Sequence, residues 1–527
     1  MSTRRRRPGV ILPAVLALIG LLSVIMAGFV FFLRAETEGI LAYAEGQQAR
    51  LAAESGLEEV VALLRQERDN VLAWYDVPDR FRHALVWAEQ YERDSDPLRE
   101  LGSRRELLAR EEALTPAWRF SVVAPRLDGP PDTMRFGLMP ESAKLNLNAA
   151  SEEQIRKLLT PLLLNLGIEN PEELIAAILD WRDEDDETRD GGAENDYYNS
   201  LDPGPPYNAK NGRFDSVEEL LLVKGITAAV LYGEDVNRNG ILDANEDDGE
   251  ESFPYYDNGD GILDLGIAPF LTVWSRELDV SSDNRQRLNL HKNRAELEAQ
   301  LAAYLLTGAE AEEEDQGAVL SPASLEFILS LAGNEAVVSR LRSPADLYVG
   351  EEGLSGGEPN DPNAAVELPS ELAASPITLE ELPVVMDYFS TRPLEQAGQP
   401  IEGLININVA PFNVLMVIPH MTAEAAAAIV SARSELDAET LRSPAWPLTT
   451  GTLDAAVFKA IAPYITTRAY QFHVEVLGYG DHVKVTRRLE WVIEMIGPLA
   501  QIKYHRDLTR LGPAWPIDEE NVIVIPG

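Results

Sequence analysis

The hydrophobic pattern opens with an uncharged run over residues 10–33, preceded by four arginines at 4–7 and then Pro8 and Gly9. That run exceeds the roughly 20 apolar residues a helix needs to cross a bilayer. Polarity changes at Arg34, yet the helical spacing persists, with Leu57, Val60, Val61 and Leu64 falling on one face. Read as one rod over residues 10–68, the element is roughly 90 Å long at 1.5 Å per residue, half in lipid and half in water.

Farther along, the alternation of apolar and polar positions predicts strands. Residues 70–117 mix aromatics with charged turns and read as the end of the rod plus short helices. Residues 119–127 and 134–139 flank the turn Gly129-Pro130-Pro131-Asp132 and predict a hairpin. A second hairpin is predicted from 470–476 and 483–493, with Gly478-Tyr479-Gly480-Asp481 as its turn. With 269–279 these strands complete a sheet that the long helix covers, so that both chain ends pack together around inserted helical domains.

Between the strands a local pattern recurs. Lys144-Leu-Asn-Leu-Asn-Ala-Ala-Ser151 ends a strand and starts a helix, Ser151 being the cap and Glu152 and Glu153 suiting the helix dipole. Helices are predicted over 152–165 and 171–182, then over 214–225 running into a Val-Lys-Gly-Ile-Thr hairpin at 223–227, which resembles a helix–hairpin–helix unit. Leu404-Ile-Asn-Ile-Asn-Val-Ala-Pro411 repeats the opening, leading to helices at 411–417 and 422–433 around Pro419-His420-Met421. Arg287-Leu-Asn-Leu290 is a weaker echo with a helix from about Asn293. Repeated openings into small helical units argue for an internal repeat.

The first stretch admits three readings. A cleaved secretory signal has a shorter apolar core, usually 7–15 residues, and a small-residue cleavage site; here the run ends in Phe31-Phe-Leu-Arg34. A single-span anchor is the plainer reading, the four arginines keeping the amino terminus cytoplasmic. The third is a prepilin leader, cut between Gly9 and Val10 at the head of the apolar run. Position five after that cut is Ala14 where most pilins carry Glu, and Pro13 falls in the first helical turn, where proline is tolerated.

Composition narrows function. The 527 residues allow two to four domains, and 45% hydrophobic residues suffice for substantial cores. A net charge of −42 opposes binding to a phosphate backbone and suits export and divalent cations. With no cysteine there is neither a disulfide nor a thiolate metal site.

One local motif carries chemistry. Asp235, Asn237, Asn239, Gly240, Asp243 and Glu246 reproduce the calcium loop D-x-[DN]-x-[DN]-G-x5-E. Calcium takes six to eight hard oxygens; Ile241 would lend its carbonyl, Gly240 the sharp turn, and Glu246 two oxygens. A degenerate copy follows at Asn258, Asp260, Gly261, Ile262 and Asp264, with Tyr256 at its first position. Asp180, Asp183, Asp185, Asp186 and Glu194 form a further candidate, since acids at a helix C-terminus oppose the dipole and invite a cation. The plain alternative is a solvated acidic loop, and for the third candidate a solvated helix end.

Taken together, the leader, Ala53-Glu-Ser-Gly-Leu57 on the long helix, the LNLN opening, Asp180-Trp-Arg-Asp-Glu-Asp-Asp186, Glu218-Glu-Leu-Leu-Leu-Val-Lys-Gly-Ile226 and the ININ opening resemble protein K of the type II secretion system, the large minor pseudopilin. The similarity covers most of 1–280 and 401–495 in the same order; 296–400 matches poorly. The family too lacks the pilin Glu, in keeping with Ala14. The resemblance implies an α+β fold: a pilin-like long N-terminal helix on a small antiparallel sheet, with inserted helical domains of helix–hairpin–helix or SAM-like form. It also implies calcium in the helical domain and a place at the tip of a periplasmic pseudopilus, where the protein helps initiate assembly. Its partners would be pseudopilins of the I and J types, with the H type as a further candidate, prepilin peptidase and the secretion system's inner-membrane assembly. It would be a single-pass inner-membrane protein with a cytoplasmic N-terminus and a periplasmic bulk.

On this reading residues 1–9 are the leader, 10–33 the transmembrane half-helix and 34–70 its amphipathic half. Residues 71–143 are the pilin-like part, 144–268 the first inserted domain with the calcium loops, and 269–292 a strand region. Residues 293–400 are a variable helical insert with acidic linkers, 401–468 a second helix–hairpin–helix-like domain, and 469–527 the terminal hairpin and tail. Two alternatives remain open, a minor pilin of a type IV pilus and a membrane-anchored calcium-dependent binding protein. Nucleic acid is disfavoured: Lys224 is the one cation in the 223–227 hairpin, and His420 and Met421 stand where glycines would expose amides. No catalysis is expected, because Gly353-Leu-Ser355-Gly-Gly357 lies in a loop-like stretch and the six histidines show no ligand spacing.

Overall fold

The computed structural model describes residues 11–87, 117–127, 134–202, 204–249, 251–254, 256–308, 320–350, 369–480 and 485–512. The Gly9–Val10 junction, the 129–132 turn, the 309–316 linker, the Gly353–Gly357 stretch and the last residues of the tail lie outside them.

A single helix runs unbroken through Ile11–Glu67, 57 residues or about 85 Å at 1.5 Å per residue. It is the one helix among the described residues long and apolar enough to cross a membrane, with a window of mean hydropathy 2.7 that is not buried at all. Leu12, Leu18, Val24 and Phe31 all stand exposed along it. Burial begins near Gly46, and from Ala49 to Leu64 one face of the same helix is closed off.

That face lies on an antiparallel sheet in the spatial order Ala84–Trp87, Trp118–Pro125, Gln471–Gly480, Thr486–Ile496, Leu499–Asp507. Both chain ends build it, as the sequence pattern predicts. The crossing needs glycine. A Cβ on Gly478 would stand 2.0 Å from the Ala49 carbonyl oxygen and 2.5 Å from the Ala53 nitrogen, and one on Gly56 would stand 2.6 Å from Val476. Gly478 and Gly480 are therefore inside the strand Gln471–Gly480 and do not form the expected turn; at Gly478 the role is close approach of two backbones.

The predicted first hairpin is reduced: Met134–Arg135 pairs with the end of Trp118–Pro125, and Met139–Pro140 pairs instead with Phe472 and His473. Residues 269–279 do not join this sheet. Leu271–Thr272 pairs with Leu145–Asn146, and Arg276–Glu277 with Ile401–Glu402, so the alternation there serves two separate partners.

Trp118–Pro125 and Gln471–Gly480 are hydrogen-bonded neighbours, so the helical head between them is an insertion into the sheet. Three openings in the head share one construction. Leu145–Asn146, Leu288–Asn289 and Ile405–Asn406 each form a parallel pair, with Leu271–Thr272, Phe389–Ser390 and Ile465–Thr466 respectively. In each, the asparagine donates to a carbonyl just past the closing strand: Asn146 to Ser275 at 2.9 Å, Asn289 to Arg392 at 2.8 Å and Asn406 to Arg468 at 3.2 Å. Its oxygen accepts the N–H two residues on, from Asn148, His291 and Asn408. A buried asparagine that satisfies both ends of its opening cannot be truncated cheaply. Asn406→Ala is expected to cost about 1–3 kcal/mol, read as a loss of thermal stability.

The units also share a clasp. Arg182 Nη1 donates to the Leu147 and Ala150 carbonyls at 2.6 and 2.8 Å, and Arg433 Nη1 to Ile407 and Ala410 at 3.1 and 2.7 Å. In the middle unit the Gly333 N–H bonds the Leu290 carbonyl at 2.9 Å. Helices form at Glu152–Asn165, with a Ser151–Gln154 capping box, at Pro171–Arg182 and at Ala423–Ala432, close to their predicted bounds. The helix expected over 214–225 is only a 3-10 segment, Val217–Leu222. Glu219 there receives Trp181 Nε1 and Lys210 Nζ, and Leu221 and Leu222 stay exposed, so no apolar face closes a longer helix.

Candidate cation loops at the head–sheet junction

The helix Ala228–Tyr232 ends at Gly233, and the twelve-residue loop 235–246 follows. Asp235, buried, takes the N–H groups of Asn239 and Gly240 at 2.9 Å each. Asn237 and Asn239 each accept the N–H two residues on, at 2.9 and 2.7 Å, which coils the backbone into the tight turn. Gly240 has φ +69° and presses so closely on Pro125 that a Cβ would come within 2.8 Å of it. Asn237 and Asn239 amides both reach Asp243 Oδ2, at 2.6 and 2.8 Å. Glu246 closes the ring, accepting from Val236 at 3.0 Å and Asp243 at 3.2 Å. The five predicted side-chain ligands, Asp235, Asn237, Asn239, Asp243 and Glu246, thus lie on one loop together with the Ile241 carbonyl.

Electrostatics there are unfavourable for anions. Burial pushes Asp235 up to about 6, against the pull of the Gly240 and Asn239 amides and of Arg488. Burial, then repulsion from Asp235, pushes Glu246 up to about 7. A positive charge placed among their oxygens relieves both. Among the described residues no three Asp, Glu or His side chains form a ready metal cage. The loop's capacity for a hard cation rests on its asparagine oxygens and the Ile241 carbonyl as well as its carboxylates.

The second loop is more open. Asn258 accepts from Asp260 N–H at 2.9 Å, Asp260 from Ile262 N–H at 2.8 Å, and Asn258 reaches Asp264 at 3.4 Å, with Asp260 and Ile262 exposed. Glu234, one residue ahead of the first motif, ties the two loops together. Buried itself, it accepts from Asn258 N–H at 3.1 Å and Asp264 N–H at 3.3 Å. The motif's own spacing gave no sign of it.

In the third candidate, Asp180 is fully buried and accepts from Ala193 N–H at 2.8 Å and from Arg189 Nη1, which also pairs with Asp183. Arg189 thus already supplies positive charge at this helix end. Asp185 accepts from Glu187 N–H at 2.9 Å, and Asp186 from Asn195 and Asn211 at 2.6 and 2.9 Å. Glu194 differs from these. It is 3% exposed, neither carboxylate oxygen has a hydrogen-bond partner, and burial with repulsion from Asp180 and Asp183 pushes it up to about 7.

A residue that sequence reasoning missed is Arg488, on the strand Thr486–Ile496. It is 1% exposed, paired with Glu475, and donates to the Asn237 and Arg238 carbonyls at 2.5 and 2.6 Å. Its only sequence signal is a charge on an inward phase of the strand's alternation.

These features define a class of protein: a stem-helix protein with a single-pass membrane anchor, whose sheet carries an inserted, repeated helical head with acidic loops. Residues 143–232, the opening of that head, match the family described as type II secretion system (T2SS), protein K. A provisional type II secretion system protein K of Escherichia coli (strain K12) is 28% identical over 174 residues, 31% of this chain. The chain spans about half the length of that relative, 48%. The crystal structure of a GspK-GspI-GspJ complex from enterotoxigenic Escherichia coli aligns over 90% of this chain and 99% of its own, with a TM-score of 0.33 and 10% identity. The first head unit thus carries the type II secretion system protein K domain, and the chain is similar to a protein K over about a third of its length.

Proposed function

We propose that this chain is a minor pseudopilin of a type II secretion system, stored in the inner membrane and placed at the tip of the periplasmic pseudopilus, where it helps start assembly for protein export across the outer membrane. The observation that carries this is the single helix Ile11–Glu67, apolar and uncovered in its first half and the cover of a sheet in its second. Such an element rests in a bilayer by one end and packs among sister helices once withdrawn. The head, inserted between neighbouring strands of that sheet, is carried on the stem's outer end.

Ala14 leaves no carboxylate at position five after the Gly9–Val10 junction. A preceding subunit's terminal amine then finds no partner, which suits a subunit with nothing added above it. The partners proposed are pseudopilins of the I and J types, with the H type as a further candidate. Prepilin peptidase and the inner-membrane assembly complete the set.

Calcium belongs to the proposal. Asp235, Asn237, Asn239, Asp243, Glu246 and the Ile241 carbonyl would hold one ion, and Glu194 is the best-placed buried carboxylate for another. The ion would supply the positive charge that these buried oxygens lack. The role is that of a scaffold.

Co-expression with prepilin peptidase tests the reading. N-terminal sequencing is expected to begin at Val10, and Gly9→Leu to abolish processing. The processed chain is expected to co-purify with I- and J-type pseudopilins. An intact arginine-rich leader, or a processed chain that captures neither, overturns it.

A further inference from the structure

The stem helix covers one face of the sheet through Gly56 and Gly478; the 235–246 loop covers the other. Along Gln471–Gly480, side chains alternate between faces. Val476 and Gly478 meet the helix, while Leu477 and Tyr479 pack with Val123 and, from the loop, Ile241. Arg488 lies directly opposite Leu477 in the register and so faces the loop. Its guanidinium, held by Glu475, donates to two consecutive loop carbonyls, Asn237 and Arg238. Those carbonyls point the same way because Arg238 adopts φ +59°, its own side chain lying 3.7 Å over the Tyr232 ring. A planar fork of donors fits two adjacent carbonyls; a point-like ammonium does not.

We infer that Arg488 is a positioning residue through which the stem sheet senses the loop: a divalent cation held by the loop keeps the Asn237 and Arg238 carbonyls in register for Arg488 and so locks the head onto the sheet. This rests on the cation-binding reading of the loop proposed above and deepens it. The physical logic is that the two carbonyls belong to positions three and four of a loop whose acidic positions repel one another without a cation. When the loop relaxes, a fully buried arginine loses two acceptors at once, and the sheet loses one of the contacts that join it to the first head unit.

Hydrogen exchange on the full chain in detergent, with calcium chloride or with EGTA, tests this in the native protein, Arg488→Met and Arg488→Lys. In the native protein calcium is expected to slow exchange by about tenfold or more in the loop and also in 471–480 and 486–496. In both variants the loop is expected still to respond, and the two strands to respond no longer. The lysine variant keeps the charge beside Glu475, so its behaviour isolates the two-carbonyl contact if the methionine variant fails to fold. Strands that respond equally in the lysine variant and the native protein overturn the inference. So does a native loop that responds while its strands do not. A native loop indifferent to calcium overturns the cation reading, and the inference falls with it; the two failures are thus told apart.

Discussion

A Gly478→Val chain is expected to lose the seat of its stem helix and to melt at a markedly lower temperature, a destabilisation of roughly 3 kcal/mol or more. The reason is steric. The first side-chain carbon alone would fall 2.0 Å from the Ala49 carbonyl oxygen and 2.5 Å from the Ala53 nitrogen. Both are backbone atoms of a continuous helix, so neither moves without the rod moving. Ala49, Ala52 and Ala53 are all buried at this crossing, the small side chains that let helix and strand approach. Lifting the helix also uncovers Val60 and Leu64, whose burial is worth about 1.5–3 kcal/mol per side chain. Differential scanning calorimetry measures the loss, and limited proteolysis within residues 46–67 reports whether the helix has detached. Gly39→Ala is the control. That glycine has nothing within 4 Å, and replacing it in an exposed helix is expected to be neutral or stabilising by up to about 1 kcal/mol. If Gly478→Val melts like the control, the helix does not rest on the sheet through Gly478.

How much was legible in the sequence depended on range. The stem was plain because its signals are local and long, an apolar run followed by one persistent helical face. The Asn146 and Asn406 openings were legible because a polar residue recurs on the buried phase of a short strand. The middle opening was fainter for a chemical reason. His291 stands where the outer units have Asn148 and Asn408, each of which bonds further backbone or Trp446. His291 instead bonds Glu335 and the Thr391 carbonyl. What stayed hidden was long-range. Residues 269–279 alternate like one strand, yet their two short pairs belong to different partners more than a hundred residues away. Gly478 reads as part of a turn because turns and close backbone approaches favour the same residue. In the candidate site, spacing gathered the loop's own oxygens. It could not indicate Arg488, which meets them from another strand, or Arg189, which takes up two of the acids in the third candidate.

Withdrawal of calcium is expected to lower stability and, in doing so, to reverse its dependence on pH. In the metal-free chain Asp235 is raised to about 6 and Glu246 and Glu194 to about 7, each chiefly by burial. A carboxyl raised in the folded state holds its proton more tightly there than in the unfolded chain. Its stabilising contribution is whole below the unfolded value near 4 and is lost as pH climbs through the folded value. The metal-free protein should therefore become less stable between about pH 5 and 7.5. Calcium held by the loop as proposed would invert the sign. It requires the same oxygens ionised, so its binding releases protons and strengthens over that interval. At a hundred times the dissociation constant, one ion adds about 2.7 kcal/mol. Thermal melts in EGTA and in excess calcium, run from pH 5 to 7.5, should converge at the acid end and diverge toward neutrality. Asp235→Asn is expected to flatten the metal-free decline and to shrink the calcium effect, since it removes one repelling charge and one ligand together. Parallel curves with and without calcium would remove the ion from the account of the head, and leave the stem and its sheet to stand on their packing alone.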